Sequence, residues 1–184
     1  MTALQPVCDG LWHWQAYEPA VKCDLTACAV QTRDGVVLVD PFPFAEPLPF
    51  VPTAVFLTNG NHARAAKAVQ EKYRIPIFAS AEATEELTKD GLQISQLSTL
   101  NYQRIAGAGP GEVAYLFGRT LCLGDAVINL ADHGFALLPE KYRSPGNLHD
   151  SLRKLLSLEF DILTFAHGAP ITENAHARLT KLIA

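Results

Sequence analysis

Three short segments carry the residues with chemical potential. Val55-Phe56-Leu57-Thr58-Asn59-Gly60-Asn61-His62-Ala63-Arg64 reads as a buried strand that runs out through a glycine turn into a helix, and it delivers Asn59, Asn61, His62 and Arg64 to the strand end. Leu121-Cys122-Leu123-Gly124-Asp125 closes a second apolar run on a carboxylate, and Leu163-Thr164-Phe165-Ala166-His167-Gly168 closes a third on an imidazole. Imidazole and carboxylate together can hold a divalent metal, for which roughly three strong ligands are the minimum. His62, Asp125 and His167 would supply that minimum; a guanidinium such as Arg64 instead suits an anion. Each residue also has a plain structural role. Asn61 can cap the following helix, Asn59 can satisfy turn backbone, and Arg64 can lie exposed on the first helical turn. Asp125 can cap a turn and His167 can bond backbone.

Other chemistries find less support. No Gly-x-Ser-x-Gly elbow is present. Gly107-Ala108-Gly109-Pro110-Gly111 lacks the Lys-Ser/Thr ending of a phosphate loop and leads into a strand, although its backbone N–H groups could still face a pocket. Cys8, Cys23, Cys28 and Cys122 are scattered without a tight pair and read as free thiols, with Cys23 and Asp24 near a pocket rim. His133, His149 and His176 lie outside the three segments.

The elements that must position these residues follow from pattern. Thr26–Gln31 and Val36–Asp40 flank an Asp-Gly turn, a hairpin signal. Prolines at 41, 43, 47 and 49 hold a rigid connector, whose Phe42, Phe44 and Phe50 either pack or form a patch for self-association. Helical spacing runs from Asn61 to Arg74; a strand follows at Ile77-Phe78-Ala79, and Ser80 caps a helix through Thr88. A second cycle repeats the plan: a hairpin of Val113–Phe117 and Thr120–Leu123, with Asp125 in the place Asp40 holds after the first. Asn147 with Asp150 starts a helix, Ile162–Phe165 is a buried strand, and Thr172 opens a last helix. The expected organisation is one domain, 1–184, in pseudo-symmetric halves of about 10–90 and 95–184.

In order and spacing the three segments resemble the metallo-β-lactamase fold family. The resemblance spans Gly10 to the C-terminus and implies an α/β fold, a four-layer αβ/βα sandwich of two mixed β-sheets flanked by helices. It also implies a His-x-His-x-Asp-His loop, a further His, a bridging Asp and a late His around one or two metals. Laid on this chain, those positions hold Asn59, Asn61, Ala63, Arg64, Ala108, Asp125 and His167. Only Asp125 and His167 match. His62 falls on a position to which the resemblance assigns no role, and it reads first as a surface or helix-start histidine. The expectation is therefore a protein without cofactor that has lost most of the dinuclear site. Arg64 stands in for the metal by pairing with Asp125, and Asn59, Asn61 and His167 complete a pocket for a small anionic molecule. The alternatives are a hydrolase with a mononuclear site for zinc or another divalent metal, built from His62, Asp125 and His167, and an interaction protein with a closed pocket. No catalytic residue is assigned.

Charged residues make up 18% of the chain, 48% are hydrophobic and the net charge is -4, a composition suited to a folded core and not to nucleic acid. The sequence has no signal-peptide pattern and no apolar run of membrane-spanning length, so a cytoplasmic location is expected. Homo-oligomerisation is left open.

Overall fold

The computed structural model describes residues 2–20, 22–95, 97 and 102–184. Apolar runs separated by tight turns lay down a first sheet in chain order: β1 (Gln5–Cys8), β2 (Leu11–Glu18), β3 (Cys23–Thr32), β4 (Gly35–Val39), β5 (Pro52–Phe56), β6 (Ile77–Phe78) and β7 (Ile94–Ser95). β1 to β4 pair antiparallel, and the hairpin expected around Asp34-Gly35 joins β3 to β4. From β4 to β7 the pairing is parallel, since each step is a crossover. Two of those crossovers carry helices, α1 (Ala66–Tyr73) and α2 (Ala81–Lys89).

The second half repeats the hairpin with β8 (Tyr102–Arg104), β9 (Val113–Phe117) and β10 (Thr120–Cys122), adds a ribbon of β11 (Val127–Leu130) and β12 (Gly134–Leu137), then α3 (Leu148–Leu155), β13 (Ile162–Thr164) and α4 (Ala175–Leu182). Its sheet is ordered β13-β10-β9-β8, with β13 parallel to β10 and the rest antiparallel. Three apolar clusters give the layering. Leu38, Val55 and Leu57 pack under Val69 and Leu87 of the first helices. Val37, Val39 and Phe56 meet Val113, Tyr115 and Cys122 between the sheets. Leu121, Leu123 and Leu163 lie against Leu152, Leu155 and Leu179. The architecture is thus helices, sheet, sheet, helices, with both sheets mixed, as the fold class anticipated.

Ser80 caps α2 by accepting from Ala83 N at 3.1 Å, and Asn147 caps α3 by accepting from Asp150 N at 3.1 Å. Two helix starts differ from the sequence reading. α1 begins at Ala66 and not at Asn61: residues 61–65 are non-helical, Asn61 is exposed, and its N–H donates to Asn59 Oδ1 at 2.9 Å. Asn61 is therefore not a helix cap. α4 begins at Ala175 and not at Thr172, after Asn174 takes a left-handed φ of 53°. The proline connector packs: Phe42 and Phe44 are buried with ring centroids 5.8 and 5.6 Å from Trp14, and Phe50 lies 4.8 Å from Trp12. Among the described residues no helix is long and apolar enough to cross a membrane.

Candidate functional site

The parallel strand β5 ends in a run of buried residues, Leu57 to Gly60, that crosses the seam between the two sheets. Thr58 fixes its start. Its N–H and hydroxyl both donate to the Asp40 carboxylate, at 2.8 and 2.5 Å, and its carbonyl accepts from Val113 N at 2.8 Å. Asp40 follows β4 directly and takes a left-handed φ of 48°, a conformation rare for a residue with a Cβ and sustained here by those bonds.

His62, only 3% exposed, lies between two carboxylates. Its Nδ1 is 2.9 Å from Asp40 Oδ2 and its Nε2 is 3.2 Å from Asp125 Oδ1. The first Asp comes from the first hairpin and the second follows the repeat of it. His167 approaches from β13, with Nε2 also 3.2 Å from Asp125 Oδ1 and Nδ1 2.9 Å from the Asp24 carbonyl. Cys23 Sγ stands 3.4 Å from the same Nδ1, which puts Cys23 and Asp24 at the rim of the cluster.

Hydrogen bonding assigns the ring protons. The Asp24 carbonyl can only accept, so neutral His167 carries its proton on Nδ1 and a lone pair on Nε2. His62 Nδ1 faces Asp40 and the Thr58 hydroxyl, which gives its own proton to Asp40; a neutral His62 therefore carries its proton on Nδ1 and turns an Nε2 lone pair to Asp125. Asp125 Oδ1 is buried and accepts no hydrogen bond although both imidazole Nε2 atoms are near. Three electron-pair donors therefore converge, and such a group is stable only with a cation among them. Without a metal that cation is a proton. Burial alone would lower His62, but Asp40 and then Asp125 hold it up to about 9. Burial would raise Asp125, yet His62 and His167 keep it well below the usual carboxylate range.

A metal fits the same place. The donor atoms of His62, Asp125 and His167 all lie within 4.8 Å of one another. Ligand atoms about 2.1 Å from a tetrahedral ion stand about 3.4 Å apart, close to the two 3.2 Å separations here. Both imidazoles have their outer nitrogens tied, one to a carboxylate and one to a carbonyl, the arrangement that orients metal-bound histidines.

Arg64 does not pair with Asp125. The chain takes a left-handed φ of 37° at Arg64 and turns its guanidinium back toward the β3 and β4 ends, where Nη1 donates to the carbonyls of Thr26 and Asp40 at 2.9 and 3.0 Å. Asn59 is fully buried and belongs to the cluster, its amide donating to Asp125 Oδ2 at 3.1 Å and to Glu112 Oε2 at 3.4 Å. Asn61 points away into solvent. Asp40, Thr58 and Glu112 were missed from sequence as site residues. For Asp40 the signal was present, since it ends a buried strand as Asp125 does. Glu112 offered none beyond being a charge between a glycine loop and a buried strand.

No family model matches the sequence, and no curated protein does. Solved structures do match. A metallo-beta-lactamase from Pontibacter korlensis superposes with a TM-score of 0.75 over 100% of this chain and 99% of its own, at 12% identity. The chain has the metallo-β-lactamase fold. An archaeal protein of the metallo-beta-lactamase superfamily from Sulfolobus tokodaii aligns with this fold at a TM-score of 0.70 and 13% identity, over 96% of this chain and 87% of that one. TTHA1623, crystallised in a di-iron-bound form, aligns at 0.64 and 22% identity over 90% and 98%. Within this fold the structure brings His62 beside Asp125 and His167.

Proposed function

We propose that this chain is a metal-dependent hydrolase with one divalent cation held by His62, Asp125 and His167. The supporting observation is the convergence of both imidazole Nε2 atoms on the buried Asp125 Oδ1, each 3.2 Å away, with the outer nitrogen of each ring tied elsewhere. A bound divalent metal supplies Lewis-acid polarisation of a substrate carbonyl or phosphoryl group and a water of lowered pKa. The chain's own residues prepare the place. Asp40 keeps the His62 proton on Nδ1, the Asp24 carbonyl does the same for His167, and Asn59 holds Asp125 by its other oxygen. His167 and Asp125 side chains are 17% and 15% exposed, so solvent reaches that side while His62 stays shielded. The test is metal analysis of protein purified without chelator or affinity-tag metal, beside Asp125→Ala/His167→Ala and His62→Ala. Near-stoichiometric metal lost in both variants is expected; equal metal in all three, or none in the wild type, sinks the proposal.

A second reading is metal-free, with the proton on His62 in the cation's place. Arg64 favours it: among the described residues no carboxylate forms an ion pair with its guanidinium, whose Nη1 donates to two carbonyls, and a guanidinium suits a small anionic molecule. Wild-type protein free of metal that binds phosphate or a dicarboxylate, and loses that binding in Arg64→Met, would establish this reading over the first.

A further inference from the structure

We propose that Glu112 is a positioning residue for the cation site: its carboxylate ties the glycine loop and Asn59 to the backbone beside Asp125, and so sets which oxygen of Asp125 faces His62 and His167. This rests on the reading of those three residues as ligands. Glu112 enters β9 directly after Gly109-Pro110-Gly111 and is 2% exposed. Its Oε2 accepts from Gly109 N at 2.8 Å and from Asn59 Nδ2 at 3.4 Å, while Oε1 accepts from Ala126 N at 2.7 Å. All three partners are donors. The place therefore requires a group that only accepts, on both of its heavy atoms, and among side chains an ionised carboxylate meets that need.

From this clamp two routes lead to Asp125. One is lateral: the Asn59 amide bonded to Glu112 also donates to Asp125 Oδ2 at 3.1 Å, and its direction is fixed because Asn59 Oδ1 accepts from Asn61 N at 2.9 Å. The other runs through the backbone, since Ala126 is the next residue after Asp125. With Oδ2 held by the amide, Oδ1 is the oxygen left to face the imidazoles. The packing around the clamp leaves no slack. A Cβ on Gly109 would stand 2.7 Å from Asn59 Nδ2 and 2.8 Å from Glu112 Oε2, and one on Gly124 would stand 3.1 Å from Glu112 Cδ. An apolar side chain of equal volume would fill the space but strand two buried N–H groups.

Glu112→Gln tests this, because it keeps the volume yet must turn an amide N–H toward one of those donors. Cobalt(II) is titrated into metal-free full-length protein, with affinity read by chelator competition and ligand geometry by the visible absorption bands. Wild type should bind one ion per chain. Glu112→Gln should bind roughly ten- to a hundredfold more weakly, with shifted bands. Asn59→Ala cuts only the lateral route; it should weaken binding less, and add less in the double variant than alone. A merely structural role would lower stability without moving the bands. Wild-type affinity and bands in both single variants would overturn the proposal. Should Glu112→Gln fail to fold, Asn59→Ala decides alone: weaker binding with shifted bands upholds it, and unchanged binding overturns it. A wild type that binds no cobalt fails at an earlier point, overturning the cation reading and this inference with it.

Discussion

A metal held as proposed by His62 must displace a proton, and the size of that competition can be worked out. In the metal-free protein Asp40 and Asp125 outweigh burial and hold His62 up to about 9. At pH 7 the Nε2 proton must leave a group roughly two units above the solution, which costs about 3 kcal/mol at about 1.4 kcal/mol per unit. That is roughly a hundredfold in apparent affinity. Zinc affinity should therefore rise about tenfold per pH unit between pH 7 and 8 and level off above 9. About one proton should be released per ion at pH 7. Competition against a colorimetric chelator at fixed ionic strength gives the first quantity, and an unbuffered indicator dye the second. Affinity that is flat from pH 7 to 9, or His62→Ala binding zinc as the wild type does, would refute the assignment of His62 as a ligand.

Three further outcomes follow from the same geometry. Since the folded pKa of His62 is raised above its unfolded value near 6.5, its contribution to stability is fully present below pH 6.5 and lost as pH rises through about 9. Metal-free protein should thus lose up to about 3 kcal/mol across that window in urea titrations, a loss His62→Ala should not show. Asp40→Asn removes an acceptor shared by Thr58 and His62; it should cost about 2–4 kcal/mol and weaken metal binding by roughly tenfold or more, measured by denaturation and chelator competition. Arg64→Ala strands the Thr26 and Asp40 carbonyls and should cost about 2–4 kcal/mol in denaturant unfolding; a loss under 0.5 kcal/mol would show that those bonds do not hold the loop.

What could be read from the sequence was what local pattern controls. The β3–β4 and β9–β10 hairpins declared themselves by apolar runs around tight turns, and Ser80 and Asn147 by their place before amphipathic helices. The start of α1 did not, because residues 61–65 are held by long-range bonds: Arg64 reaches carbonyls 38 and 24 residues away. No helical periodicity records such contacts. The β11–β12 ribbon and the N-terminal strands β1 and β2 also passed unread. Asp125 and His167 were legible as polar residues ending buried strands, and the fold that joins them followed from their order. The direction of His62 was not legible. It is set by Asp40, 22 residues earlier in the chain, and by Asp125 in the other half.

That placement of His62 gives the molecule an internal gauge of its own assembly. A chain in which only the first hairpin has docked holds this imidazole by one carboxylate; when the second half closes, the other carboxylate arrives and the ring's titration shifts. Neither half can produce the final value alone. The His62 ring resonances, followed during refolding, would time the meeting of the halves separately from the formation of either.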